Sequence, residues 1–307
     1  MRNNDEKKFQ SGFAAVVGKP NVGKSTLINR LVGQKIAAVS SKPQTTRLKQ
    51  LGILTQEDAQ IIFIDTPGIH IPRNKLGKGM NNLAQESLAE ADVVVWIVDA
   101  SQNLDEEDEL ITARLAELEK IPPVVQALNK SDLVGKEEKN NISVQYGNLY
   151  PGVKQVFTSA TAGEGLEILL TEIKEYLPAG YPFYPEGQVT DYYEREIAAD
   201  LIREAALENL REEVPHAIAV RVDEYKERNE NGAYIAATIF VEKESQKGIV
   251  IGSGGQMLKT IGIHARRAIE LMSGRQVYLD IRVKVKKNWR SDANFLRQIG
   301  YEALEEN

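Results

Sequence analysis

The stretch GKPNVGKST at residues 18–26 constrains this chain more than any other. Its spacing, Gly18-x-x-x-x-Gly23-Lys24-Ser25, follows the apolar run FAAVVG and opens the amphipathic run STLINRLV. A glycine-rich loop must therefore join a strand to a helix. The chemistry explains the residue types. Across Gly18, Lys19, Pro20, Asn21, Val22, Gly23, Lys24, Ser25 and Thr26, backbone N–H groups can curl around a β-phosphate at a helix N-terminus. Lys24 brings positive charge to the β and γ oxygens, and the Ser25 hydroxyl is a hard oxygen ligand suited to Mg²⁺.

Such a loop needs a sheet behind it, and the next 150 or so residues supply the pattern. The apolar runs AQIIFID, ADVVVWIVDA, PPVVQALNK and VKQVFTSA alternate with the helical segments NNLAQESLAEA and DELITARLAELEK. Buried parallel strands with crossover helices are the expected result, an α/β fold whose ligands sit at the carboxyl ends of the strands. The residues just past each run fit that position. Asp65, Thr66, Pro67 and Gly68 (DTPG) follow one strand, with Asp65 placed to hold Mg²⁺ through water and Gly68 to offer an N–H to a γ-phosphate.

Asn129, Lys130 and Asp132 (NKSD) follow another strand and select the base. The Asp132 carboxylate can accept from guanine N1–H and its 2-amino group, whereas adenine presents an acceptor at N1. Asn129 is expected to tie neighbouring loops to the purine edge, the Lys130 stem to cover a base face, and Ser159-Ala160 to offer backbone N–H to guanine O6. A small-molecule kinase shares the phosphate loop, and NKSD argues against it.

The rest of the chain demands a second domain. At 307 residues with 42% hydrophobic content there is enough apolar surface for two ordinary cores. Residues 1–180 form the first expected domain, the Pro/Gly-rich stretch 181–188 within PAGYPFYPEGQ a linker, and 189–307 the second. The second reads as helix, strand, strand, loop, helix, strand. In the last strand Val277, Leu279, Ile281, Val283 and Val285 alternate with Tyr278, Asp280, Arg282, Lys284 and Lys286, an apolar face against a mostly basic one.

Charge is distributed unevenly. The net charge is −6, yet residues 245–290 hold ten Lys/Arg against only Glu270 and Asp280. A basic segment on an acidic chain suits a polyanion. It contains a second glycine turn, Gly252, Ser253, Gly254 and Gly255, which lacks the Lys-Ser pair of a nucleotide loop. A G-x-x-G turn of this kind lets a nucleic-acid backbone approach closely and clamps about four nucleotides of single strand. Lys259, Arg266, Lys284, Lys286 and Lys287 are the expected phosphate contacts, and Trp289 is either a base-stacking platform or a core residue.

Several chemistries are excluded. The chain has no cysteine, so thiolate catalysis, disulfides and cysteine zinc sites are absent, in keeping with a reducing cytoplasm. His70, His216 and His264 lack ligand spacing. VVVWIV at 93–98 is far too short to span a bilayer, and MRNNDEKKFQ has no signal-peptide core.

On these motifs the first domain resembles a translation-factor-type GTPase, and the second resembles a type II KH domain. That resemblance implies GTP/GDP and Mg²⁺ as ligands and a switch element at Gln44, Thr45, Thr46 and Arg47, with Thr46, or failing it Thr45, completing the Mg²⁺ ligands Ser25 and Asp65. Ile69 stands where Ras-like proteins carry a water-orienting glutamine, which implies slow intrinsic hydrolysis aided by the backbone, a partner or a monovalent cation. Asn21 matches the phosphate-loop asparagine of K⁺-using relatives, or it simply stabilises the turn. The whole chain, including KPQTTR and VKVKKNWR, resembles the bacterial ribosome-assembly GTPases that carry a KH module. The resemblance implies a monomer that binds the 3′ region of 16S rRNA in the small ribosomal subunit, with peripheral contact at the inner membrane face.

Overall fold

The computed structural model describes residues 8–299 except 41, 43–45, 73–74 and 230. The chain forms two compact units. The first contains the residues up to Gln34, Thr46–Ile71 and Asn81–Asp191, and the second contains Lys35–Thr45, Pro72–Met80 and everything from Tyr192.

In the first unit the apolar runs become strands. β1 (Gln10–Val17), β3 (Ala59–Asp65), β4 (Val93–Asp99), β5 (Val124–Asn129) and β6 (Lys154–Phe157) run parallel, and β2 (Gln50–Thr55) pairs antiparallel to β3 at the edge. Their order is β2-β3-β1-β4-β5-β6. β1 lies between β3 and β4, so the crossovers leave it in opposite directions and open a crevice at its carboxyl end. Helices α1 (Lys24–Val32), α2 (Lys75–Glu90, in this unit from Asn81 onward), α3 (Glu106–Ala116), α4 (Lys136–Leu149) and α5 (Leu166–Lys174) connect the strands. β3 and β4 are buried at every position, which is why they read as unbroken apolar runs rather than alternations.

The Pro/Gly-rich stretch expected to be a linker is tied to this sheet. Gln60 Nε2 donates to the Tyr184 carbonyl at 2.9 Å, and Gln60 Oε1 accepts from Phe183 N and Tyr184 N at 2.7 and 3.0 Å. Phe183 packs on Phe13 with ring centroids 5.2 Å apart, and Ile53 N donates to the Val189 carbonyl at 2.8 Å. One buried glutamine thus captures the backbone of a segment whose composition offers no regular structure.

The second unit is α+β. α6 (Glu194–Asn209) is followed by β7 (Ala219–Asn229), β8 (Gly232–Val241), α7 (Glu244–Ile251), α8 (Gln256–Ser273), β9 (Gln276–Val285) and α9 (Ala293–Gln298). The sheet order is β7-β8-β9, with β7/β8 antiparallel and β8/β9 parallel. The apolar lead-in to the glycine turn, IVIG, belongs to α7, a helix missing from the order expected from sequence. Its start is fixed by Gln246, whose Oε1 accepts from the N–H groups of Glu242 and Lys243 at 2.9 and 3.0 Å. Val277 and Val283 of β9 are buried, while Tyr278, Arg282 and Lys284 are exposed, as the alternation requires.

Trp289 is corrected from base stacker to core residue. It is fully buried, its Nε1 donates to the Ala217 carbonyl at 2.8 Å, and its ring sits 6.4 Å from that of Phe295. Burying an indole is favourable only when its N–H finds an acceptor, and Ala217 supplies one.

Candidate nucleotide site and nucleic-acid surface

The loop 18–26 leaves β1 and turns into α1. Gly23 precedes the helix with φ 102°, and a Cβ there would lie 2.4 Å from Asn129 Nδ2. Only glycine permits that conformation and that approach. Lys24 is buried, and its Nζ donates to the carbonyls of Gly18 and Lys19 at 3.1 and 2.8 Å. Burial pushes its pKa down to about 8, with Asp65 opposing the shift. The two carbonyls hold the ammonium beside the loop with charge-assisted hydrogen bonds.

Three oxygen donors converge beside it. Ser25 Oγ donates to Asp65 Oδ2 at 2.7 Å, lies 2.9 Å from Thr46 Oγ1, and Thr46 Oγ1 donates to the same Asp65 oxygen at 3.3 Å. A hydroxyl pair with a carboxylate suits Mg²⁺, a hard ion that keeps several waters and binds through few protein groups. Among the described residues no cluster of three His, Cys, Asp or Glu could hold a metal instead. Gln44 and Thr45 lie outside the described residues, and Arg47 is buried. In the DTPG segment Thr66 Oγ1 donates to the Val16 carbonyl at 2.8 Å and Pro67 and Gly68 are buried.

Ile69 points into the core formed with Ala15, Val17, Leu88 and Trp96. Its backbone N–H bonds Gly18 O at 3.2 Å, so this position contributes main chain to the loop and no polar side chain. His70 is likewise structural: its Nδ1 is 2.8 Å from the Gly68 carbonyl, and Asn81 Nδ2 donates to the His70 carbonyl at 2.8 Å.

The residues expected to select the base gather on the neighbouring strand ends. Asn129 Nδ2 donates to the Val22 carbonyl at 2.9 Å, and its Oδ1 accepts from Ala160 N at 3.0 Å and Thr158 Oγ1 at 3.4 Å. Lys130 adopts φ 60° and its Nζ donates to Asp99 Oδ2 at 2.5 Å. Asp132 is exposed on the turn Ser131–Leu133. The N–H of Ser159 bonds the Glu164 carbonyl at 3.0 Å, so both N–H groups expected for guanine O6 have protein acceptors here. Ala160 N is the one that can be shared, since Asn129 Oδ1 already accepts from two donors.

Lys19 is expected to meet phosphate through its backbone N–H. Its side chain turns away from the cradle and its Nζ donates to Asp105 and Asp108 at 2.9 and 2.8 Å. Burial pulls its pKa down, but those two carboxylates more than compensate and leave it above the ordinary lysine value. Neither aspartate was foreseen from sequence, because DEEDE reads as a solvated first helical turn. Asn21 has φ 65° and is exposed, a conformation asparagine tolerates better than most residues.

In the second unit Gly252–Gly255 joins α7 to α8. Gly252 has φ 73°, and a Cβ there would lie 2.7 Å from Met257 Cβ. Ser253 and Gly254 are exposed. The turn opens onto a groove of about 390 Å³ between α8 and the free edge of β9, lined by Gly255, Lys259, Gly262, Arg266, Tyr278 and Ile281 among others. Lys259, Arg266, Lys284 and Lys287 are exposed, whereas Lys286 is paired with Asp292 at 2.7 Å and sits over the Phe295 ring.

A phosphate loop, a Mg²⁺ ligand set and a guanine-selecting strand end, followed by a helix–GxxG–helix RNA-binding fold, define a P-loop GTPase that carries a KH module. Residues 13–130 match the family model described as 50S ribosome-binding GTPase, and residues 213–290 match that of the KH domain. GTPase Era of Carboxydothermus hydrogenoformans is 48% identical over 298 residues, covering 97% of this chain and 99% of that protein. A crystal structure of Era in complex with MgGDPNP and nucleotides 1506–1542 of 16S ribosomal RNA superposes with TM-score 0.90 at 41% identity, covering 95% of this chain and 99% of the other. A variant of Aquifex aeolicus Era bound to GDP and AlF₄⁻ gives TM-score 0.90 at 40% identity with the same coverage. The chain belongs to the Era family of GTPases.

Proposed function

We propose that this GTPase binds the 3′ region of 16S rRNA through its KH module and acts in assembly of the small ribosomal subunit, with GTP and GDP as its alternating ligands. Gly18–Thr26 and Gly68 cradle the phosphates, Ser25, Thr46 and Asp65 hold Mg²⁺, and Asn129, Lys130, Asp132 and Ala160 hold guanine. Mg²⁺ supplies charge neutralisation between the β and γ oxygens when bound. The RNA reading is carried by one observation: the glycine turn sits at the mouth of a groove bordered by Lys259 and Arg266, with no Cβ at Gly252, Gly254 or Gly255 to hold a backbone off. The Era structure that contains Mg-nucleotide and 16S nucleotides supports it.

Fluorescence anisotropy with a single-stranded 16S 3′-end oligonucleotide and a scrambled control tests the RNA reading, and phosphate release with and without the oligonucleotide tests its coupling to turnover. Equal affinity for the two oligonucleotides would remove the rRNA assignment. For turnover, Ile69 lies in the core and offers no polar group to orient water, so the backbone, a partner or a monovalent cation near Asn21 supplies that role, and the cation is the one that a change of salt tests. K⁺ should then accelerate hydrolysis more than Na⁺ at matched ionic strength, and equal rates would exclude the cation.

A further inference from the structure

The Lys19 side chain points out of the phosphate loop and onto the N-terminus of α3. It is 4% exposed and its Nζ is shared between Asp105 Oδ2 and Asp108 Oδ2. These carboxylates are also the cap of α3: Asp105 Oδ1 accepts from Glu107 N at 3.0 Å, and Asp108 Oδ2 accepts from Asp105 N at 3.1 Å. A helix N-terminus stabilises both anions, and an ammonium bound there cannot be withdrawn without leaving buried charge uncompensated. The receptor is itself backed by α4, because the buried Tyr146 hydroxyl bonds Asp108 and the Tyr146 ring stands edge-on to Trp96 at 5.9 Å.

The backbone of Lys19 faces the other way. Its carbonyl, with that of Gly18, receives Lys24 Nζ. We propose that Lys19 is a positioning residue for nucleotide binding: its clamp on the α3 cap fixes the carbonyl that aims the Lys24 ammonium into the phosphate cradle. The inference rests on Lys24 being the phosphate ligand. It assigns a role to Lys19 that requires no contact with nucleotide, and it extends the phosphate site to Asp105 and Asp108, 86 and 89 residues away in sequence.

A purely structural clamp and a positioning clamp differ in how Lys19 couples to Lys24. Titration of the full chain with a fluorescent GDP analogue in Mg²⁺, for wild type, Lys19→Met, Lys24→Ala and the double variant, measures that coupling. Lys19→Met should weaken GDP binding by about tenfold, the range found along coupled side-chain networks, and Lys19→Arg should restore most of it. In the Lys24→Ala background the same change should weaken binding by less than about twofold. Wild-type affinity in Lys19→Met, or an undiminished tenfold loss in the Lys24→Ala background, would overturn the inference. If Lys19→Met does not fold, Asp108→Asn, nearly isosteric, enters the same cycle with the same expectations. Wild-type affinity in Lys24→Ala alone would instead sink the assignment of Lys24, and the positioning role with it.

Discussion

Asn129 Nδ2 reaches the carbonyl of Val22 at 2.9 Å, joining residues 107 positions apart in sequence, while its Oδ1 receives Ala160 N at 3.0 Å. One side chain thus ties the end of β5 to the loop 18–26 and to the 158–160 segment. Gly23 is what allows the amide so close. Asn129→Ala leaves a buried carbonyl and a buried N–H without this partner, at a cost of about 1–3 kcal/mol each where no water replaces it. We expect a Tm lowered by several degrees without nucleotide, together with weaker binding of both GTP and GDP. Thermal unfolding and nucleotide titration check the two effects, and loss of affinity with an unchanged Tm would mean that Asn129 acts on the base alone.

Asp132 is held in place by its neighbours rather than by its own contacts. Ser131 N donates to the Thr158 carbonyl at 3.0 Å, and Lys130 is fixed by Asp99, which is buried. The exposed carboxylate therefore projects from a turn anchored through Lys130 and Ser131. Asp132→Asn should shift preference from guanine to xanthine nucleotides, because xanthine's C2 carbonyl needs a donor where guanine's amino group needed an acceptor. Competition of GTP against XTP reads this out, and retention of the wild-type preference for GTP would remove Asp132 from base selection.

The parts of the molecule that could be read from the sequence are those written in local chemistry. Gly18–Ser25, DTPG and NKSD each place a residue type at a strand end, and β3 and β4 are continuous apolar runs because both faces of the sheet are covered. What could not be read depended on distant partners. Trp289 beside Lys286, Lys287 and Arg290 looks the same in sequence whether it stacks on a base or enters the core, and the acceptor that decides the matter, Ala217, is 72 residues earlier. The Lys19 side chain has no partner legible in the sequence, and α3 brings Asp105 and Asp108 to it. The proline-rich stretch reads as a linker, and its composition does not reveal that Gln60 holds its backbone. α7 was hidden because a helix of 8 residues with a short apolar end carries too little periodicity to separate it from a strand.

Trp289 gives the next prediction. Trp289→Ala removes a fully buried indole and leaves the Ala217 carbonyl without its donor, so the second unit should lose about 3–5 kcal/mol. Any fall in RNA affinity should follow the fraction unfolded. Trp289→Phe, which keeps most of the packing, should recover much of the stability and bind RNA at wild-type strength at temperatures where it is folded. A folded Trp289→Phe protein with lost RNA affinity would restore the indole as a base platform.

Lys286 and Lys287, adjacent in sequence, should behave differently. Lys286 is engaged by Asp292 and the Phe295 ring, whereas Lys287 is exposed. Neutralising Lys287 should weaken binding of all RNAs and reduce the salt slope by about 1, as one released counterion requires. Neutralising Lys286 should change the slope less and lower stability more. Binding isotherms across a KCl series distinguish them, and identical slopes would mean that Asp292 does not hold Lys286 away from RNA.

The glycine turn permits the sharpest separation of the two activities. A Cβ at Gly254 meets nothing within 4 Å, so a side chain there points into open space, and Ser253 is exposed beside it. Aspartate also tolerates the left-handed backbone of Gly254, φ 57°, better than most residues. Ser253→Asp with Gly254→Asp should therefore leave the fold intact while placing two negative charges where phosphates approach. Gly252 cannot serve this purpose, because its Cβ would strike Met257. RNA affinity should fall by at least about tenfold, since each repelled phosphate contact also forfeits its counterion release. GTP binding and hydrolysis without RNA should stay at wild-type values, because Ser25, Thr46 and Asp65 belong to the other compact unit. Filter binding with single-stranded RNA, circular dichroism and phosphate release measure the three quantities. Wild-type RNA affinity in a folded variant would show that this turn only joins two helices.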